Sequence, residues 1–197
     1  MKKTEIIAAI IAIIGFIFKL FLWPGGGPLI VISLSTLAVV YYFGFAFLNN
    51  IRFRHIFKKE SYNGMRPLRI IGTLGAGFSL SAVLMGIMYK IQSWPMAQTN
   101  LAVGMFFLIV VVIVGLPKYL STKSDYLKQV FKRAVIIGGL GLIFIVLPQT
   151  VWIDIEYRNH PAYRDAFKRA LAEPSNQALW DQVEQEKRKM LEEEFPK

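Results

Sequence analysis

Two lysines stand where a charge is costly. Lys19 and Lys90 each lie near the end of a long apolar run, in Phe18-Lys19-Leu20-Phe21-Leu22-Trp23-Pro24 and Tyr89-Lys90-Ile91-Gln92-Ser93-Trp94-Pro95. An ammonium a turn inside an apolar boundary either snorkels to the interface or finds a counter-charge. Positions i and i+4 share a helix face, so each ammonium is expected over or beside its own indole, Trp23 or Trp94. Neither run supplies a carboxylate. Asp154 and Glu156 are the local acids on the same side of the layout derived below. Lys19 and Lys90 are therefore expected to pair outside the two hairpins delimited below, with one of these acids, an acid of another subunit or a lipid headgroup.

Other chemistry is sparse. There is no cysteine, and His55 and His160 are far apart, so neither a thiolate site nor a metal centre is expected. Gly72-x-x-Gly75-x-Gly77 superficially resembles a phosphate loop, but no strand precedes it and its surroundings are apolar. Glu5, Glu60, Asp125 and His55 are expected outside the apolar spans, which argues against a proton pathway within this chain. Ser33, Ser35, Thr36, Asn100, Tyr41 and Tyr42 suit helix-to-helix contact or a polar route for an uncharged solute. Glu192, Glu193 and Glu194 lack a cleft to fix their separation for glycoside chemistry. No catalytic residue and no cofactor is expected, so the reading is of a protein that is not an enzyme.

The elements that must hold these residues are apolar. Hydrophobic residues make up 54% of the 197, charged residues 18%, and mean hydropathy is +0.44. Apolar runs approach the ~20 residues needed to span a bilayer. Fifteen Lys and Arg against three acids fall in residues 1–153, while residues 154–197 carry eight against ten. Basic residues beside apolar runs are a topology signal rather than a nucleic-acid footprint, so no nucleic-acid partner is expected.

The two corners are related by one offset, which carries Lys19 to Lys90 and Trp23 to Trp94. The same offset pairs Gly15 with Gly86, Leu37 with Leu108 and Gly44 with Gly115. An all-α polytopic membrane fold follows: two parallel-repeat transmembrane hairpins, residues 1–48 and 70–116, related by an axis along the membrane normal. Residues 49–69 and 117–133 form basic loops, 134–153 a fifth span and 154–197 a polar helical tail. The spans are placed at 6–23, 29–48, 70–89, 101–116 and 134–152, with Pro148 kinking or ending the fifth. Met1-Lys2-Lys3 and its Ile/Ala run read as a retained span, since no small-x-small cleavage site follows. Thr73, Gly77 and Ser81, spaced by four, form a small-residue stripe for helix packing. The positive-inside rule sets the N-terminus and both basic loops in the cytoplasm; a crossing fifth run then puts the tail in the periplasm, whereas a re-entrant one would leave it cytoplasmic.

In the tail, Pro161 suits a first helical turn, and Tyr163, Phe167, Ala170 and Leu171 form one helix face. Ser175 is positioned to cap a second helix, whose apolar face holds Leu179, Val183, Met190 and Leu191. So small a pair is expected to dock on the membrane domain or on a partner.

Residues 71–116, through Tyr89-Lys90-Ile91-Gln92-Ser93-Trp94-Pro95 and a second apolar run ending Val114-Gly115-Leu116, resemble the membrane hairpin of the GldL family. That family comprises inner-membrane subunits of the gliding-motility and type IX secretion motor of Bacteroidota. Its hairpin typically reads Phe-Lys-Ile-x-His-Trp-Pro-Gly. Here the first copy keeps Phe18, Lys19, Trp23, Pro24 and Gly25, and the second keeps Lys90, Ile91, Trp94 and Pro95. Ser93 replaces the histidine, neither hairpin holds the family's acid, and the long cytoplasmic region is replaced by a second hairpin and a fifth span. The resemblance implies an accessory subunit of a bacterial inner-membrane complex. The machine would be driven by the proton motive force, of the GldL or ExbB/MotA kind, with other integral subunits and the lipid bilayer as partners. The competing expectation is a small homo-oligomeric transporter or channel for an uncharged or anionic solute.

Overall fold

The computed structural model describes residues 2–44, 51, 55 and 58–194. Among them the chain is all helical, with eight α-helices and no strand. They are α1 (Lys2–Leu20), α2 (Gly26–Tyr42), α3 (Pro67–Ile91), α4 (Ala97–Thr122), α5 (Asp125–Val146), α6 (Thr150–Glu156), α7 (Pro161–Ala172) and α8 (Gln177–Glu194), with a 3-10 turn at Lys59–Tyr62. Two compact units result, Met1–Leu147 and Pro148–Lys197.

Helices α3, α4 and α5 are long and apolar enough to cross a membrane. Helix α2 is apolar but has 17 described residues, and the part of its expected span beyond residue 44 lies outside the described residues. At 1.5 Å per residue, α3 covers about 31 Å from Arg69 to Lys90, close to the ~30 Å of bilayer hydrocarbon. Large apolar side chains face outward all along the unit, including Ile6, Ile10, Ile13, Phe106, Ile113, Val135 and Val146. Surfaces of this kind belong in lipid, and the protein is membrane-embedded.

Helix α3 is the centre of the first unit. It packs on α2, α4 and α5, while α1 packs on α2. Its buried face runs through Thr73, Ala76, Gly77, Leu80, Val83, Leu84, Ile87 and Ile91. Missing side chains set how closely the helices pass. A Cβ on Gly77 would lie 2.6 Å from the Tyr41 carbonyl oxygen, so α3 meets the α2 backbone there. Thr73 of the same stripe is buried and donates to the Arg69 and Ile70 carbonyls, whereas Ser81 is half-buried. A Cβ on Gly86 would lie 2.5 Å from Leu101 Cα, and one on Gly15 2.9 Å from Leu29 Cβ and 3.0 Å from Ile30 N. The offset that relates Gly15 to Gly86 also relates Ile30 to Leu101, so the two contacts are equivalent.

Several boundaries differ from the sequence expectation. Helix α4 runs through Pro117 to Thr122, and α5 begins at Asp125, so Lys118, Lys128, Lys132 and Arg133 sit on helical turns rather than in a loop. Proline is tolerated within a bilayer-crossing helix because neighbouring groups re-satisfy the freed carbonyl. The fifth long helix is Asp125–Val146, not residues 134–152. It ends because Leu147 precedes Pro148 and takes an extended conformation, φ −67° and ψ 124°.

In the second unit, α7 packs on α8. Tyr163, Ala166, Ala170 and Val183 are buried, with Tyr157, Phe167, Leu179, Trp180 and Met190 around them. Trp180, absent from the expected face, lies against Phe167 with ring centroids 6.1 Å apart and donates to the Pro174 carbonyl at 3.0 Å. Leu191 is exposed. Helix α8 starts at Gln177, shortly after Ser175.

The close approaches yield a graded prediction. Gly86→Ala should destabilise the membrane unit by about 1–3 kcal/mol, because the new methyl meets backbone. At Gly72 a Cβ meets nothing within 4 Å, so Gly72→Ala should be neutral or stabilise by up to ~1 kcal/mol. Unfolding midpoints in mixed micelles check both; equal effects would contradict the packing described.

Candidate functional site

The repeated corner is first a helix stop. Helix α1 ends at Leu20; Leu22 then takes the left-handed conformation, φ 55°. The Trp23 N–H donates to the Phe18 carbonyl at 2.8 Å and the Leu22 N–H to the Lys19 carbonyl at 3.3 Å. The second corner does the same. Ser93 has φ 55°, the Trp94 N–H donates to the Tyr89 carbonyl at 2.9 Å and the Ser93 N–H to the Lys90 carbonyl at 3.2 Å. These are Schellman caps, each with its apolar contact: Trp23 packs edge-on against Phe18 and Trp94 against Tyr89, both with centroids 5.1 Å apart. Pro24 and Pro95 follow, where a helix cannot resume at once. Gly25 and Met96, at φ 89° and 59°, then turn the chain into α2 and α4.

The expectation that each lysine and its tryptophan share one helix face gives way to this arrangement. The helix has ended before the tryptophan, so Lys and Trp do not share a helix face; the Trp23 ring packs on Phe18 and Phe21, and the Trp94 ring on Tyr89. The ammonium groups instead reach across the bundle. Lys19 Nζ donates to Gln92 Oε1 at 3.1 Å, and Gln92 Nε2 donates to the Gly27 carbonyl at 2.8 Å. The amide of the second corner thereby links Lys19 to the first turn of α2. Lys90, 1% exposed, donates to Gln98 Oε1 and, at 3.4 Å, to the Ile145 carbonyl; Gln98 Nε2 reaches the same carbonyl at 3.4 Å.

Ile145 stands in the last turn of α5, where the final carbonyls have no partner within the helix and carry the negative end of its dipole. Lys90 lies at that end. The neutral amide and the helix terminus supply oxygen and partial charge without a carboxylate. Asp154 of α6 is engaged within its own unit by Lys168 and, at 3.5 Å, by Arg164. Glu156 closes the same helix.

A third polar cluster was not anticipated. Glu5, expected outside the spans, lies within α1. It accepts Arg133 Nε at 3.0 Å and an Arg133 terminal nitrogen at 2.9 Å on its two oxygens, and the Tyr41 hydroxyl donates to it at 2.5 Å. The Glu5 and Arg133 side chains are 21% and 13% exposed. This fork ties α1, α2 and α5 together at the end opposite the corners. The signal available in sequence was a single acid at the start of the first apolar run; its partner stands on the fifth helix, far along the chain.

In the second unit, burial followed by the charge of Glu156 pushes the Tyr157 phenol well above its usual range, and burial pushes Tyr163 up. Their rings lie 4.6 Å apart. No group of metal-ligating side chains occurs among the described residues.

No family model matches the chain, nor does any curated protein or solved structure.

Three tests follow from this geometry. Glu5→Gln should destabilise by about 3 kcal/mol, since it leaves Arg133 largely buried without its charge partner. Adding Arg133→Leu should cost less than the sum of the two single changes, measured as a double-mutant cycle. Ser93→Gly should stabilise by about 1 kcal/mol: it relieves the left-handed strain and removes a buried hydroxyl that lacks a hydrogen-bond partner. Raised phenol pKa values mean that the unfolded chain ionises first, so their stabilisation is complete below pH ~10 and is lost above it. Alkaline absorbance titration of the full chain should therefore show late-ionising tyrosines, one fewer in Tyr157→Phe.

Proposed function

We propose that this protein is a non-enzymatic, multi-pass accessory subunit of a bacterial inner-membrane complex. In this reading it has five spans, α1 to α5, and its first four are a duplicated hairpin. The matched caps, the matched left-handed residues and the equivalent glycine contacts at Gly15 and Gly86 support duplication. The basic residues gathered at the end of Glu5 and Arg133 make that end cytoplasmic by the positive-inside rule.

One observation carries the role. Three sets of polar side chains in the apolar helices hold those helices to one another: Lys19 through Gln92 to Gly27, Lys90 through Gln98 to Ile145, Glu5 to Arg133 and Tyr41. Groups committed to tie helices together suit a rigid scaffold better than a moving carrier. The resemblance of residues 71–116 to the GldL hairpin supports membership of a machine driven by the proton motive force, in which other subunits carry the titrating acids. The helical unit of residues 148–197 is the element offered to a partner.

Purification of the tagged protein from its native membrane in mild detergent, with mass spectrometry of whatever accompanies it in fixed ratio, tests the proposal. Stoichiometric recovery of other integral subunits is the expected outcome, and deletion of residues 148–197 should release at least one of them while the spans remain inserted. Recovery of the chain alone, as a stable homo-oligomer that binds a solute, would overturn the scaffold reading in favour of transport.

A further inference from the structure

One cavity in the membrane unit belongs to none of the clusters above. It is a groove of about 850 Å³ whose walls are almost wholly apolar, lined by Leu68, Ile71 and Phe78 of α3, Phe107 and Val114 of α4 and Val130 of α5, among others. Its floor is opened by missing side chains. A Cβ on Gly72 would meet nothing within 4 Å, and one on Gly75 only Val111 Cγ2 at 3.7 Å.

The groove has a direction. Along α3 it runs from Leu68 to Phe78, a rise of about 15 Å, half the ~30 Å hydrocarbon thickness. Along α4 it runs from Phe107 to Lys118, a similar length. It is therefore as deep as one leaflet, and its outer mouth is at the basic end of the helices. Lys118 lines that mouth and is exposed. Arg69 stands beside it, its guanidinium 4.7 Å from the centroid of Tyr126, another lining residue, and its Nε buried without a hydrogen-bond partner.

We propose that this groove is a binding site for one anionic phospholipid, its acyl chains lying between α3, α4 and α5 and its phosphate held by Lys118 and Arg69. Length, wall chemistry and charge all fit. An acyl chain spans one leaflet, the walls match its apolarity, and two cations stand where the phosphate of a lipid in that leaflet lies. Basic pockets between transmembrane helices recognise anionic headgroups in this way. A zwitterionic lipid would offer the same chains with no net charge to the two cations.

The test uses the full-length protein, delipidated and titrated with phosphatidylglycerol or with phosphatidylethanolamine of identical chains, bound lipid being counted by native mass spectrometry. One phosphatidylglycerol should bind about thirtyfold more tightly than phosphatidylethanolamine, since each of the two cations contributes ~1 kcal/mol. Arg69→Gln with Lys118→Gln should erase that preference. Should loss of the Arg69–Tyr126 contact unfold the protein, Lys118→Gln alone, at an exposed position, should still lower phosphatidylglycerol affinity about fivefold. Gly72→Leu with Gly75→Leu, which have room for the added side chains, should abolish retention of both lipids with helix content and monodispersity unchanged. Equal affinity of the native protein for the two lipids would overturn the proposal, as would undiminished retention of phosphatidylglycerol by the groove-filled variant.

Discussion

An ammonium removed from water must find oxygen, and the position of α5 bears on how this chain meets that demand. Lys90 is enclosed, so its charge is offset by what lies within reach of four methylenes: the Gln98 amide and the last-turn carbonyl of Ile145. A helix terminus carries roughly half a unit of opposite charge spread over carbonyls that lack partners of their own. Bringing the two together satisfies both. It also constrains where α5 ends relative to the second corner, because a helix one turn longer or shorter would move its terminal carbonyls by about 5 Å.

The other end of the bundle uses a full ion pair. Glu5 and Arg133 meet in a two-pronged fork beside Tyr41, so α1, which packs on α2, is also tied to α5. Polar ties thus close the two ends of the same set of helices. Between them, packing relies on glycine: at Gly77 and Gly86 a helix passes so close that any Cβ would strike backbone. Without a hydrophobic drive between helices in lipid, close contact and polar ties are the means left to hold them. Both are present here.

This economy bears on function. Side chains that in a carrier would face a pathway are here bonded across helix boundaries, which favours a fixed framework. The groove between α3, α4 and α5 stands apart, being apolar, one leaflet deep and basic at its mouth. In the lipid-site proposal its occupant is a lipid of the surrounding bilayer rather than a crossing solute.

Much of the architecture was legible in the residues alone. Apolar runs of near-spanning length, basic residues collected between them and Trp-Pro after an aromatic and a lysine were enough for an all-helical membrane chain with two like corners. They sufficed because helix length, bilayer thickness and the helix stop at each Trp-Pro corner are local constraints. The tail's two helices were likewise readable from their apolar spacing, although Trp180 was missed. Other features depended on proximity. No local pattern reveals that Arg133 meets Glu5, that Gln92 reaches back to Lys19, or that the partner of Lys90 is the end of a helix. Carboxylates are visible as letters, and so they, with lipid headgroups, were the counter-charges expected. A helix terminus is not a residue, and its partial charge exists only once the helix has formed and been packed against the lysine. That juxtaposition, like the groove at the basic end, was decided by tertiary structure: each depends on segments far apart in sequence coming within a few ångströms.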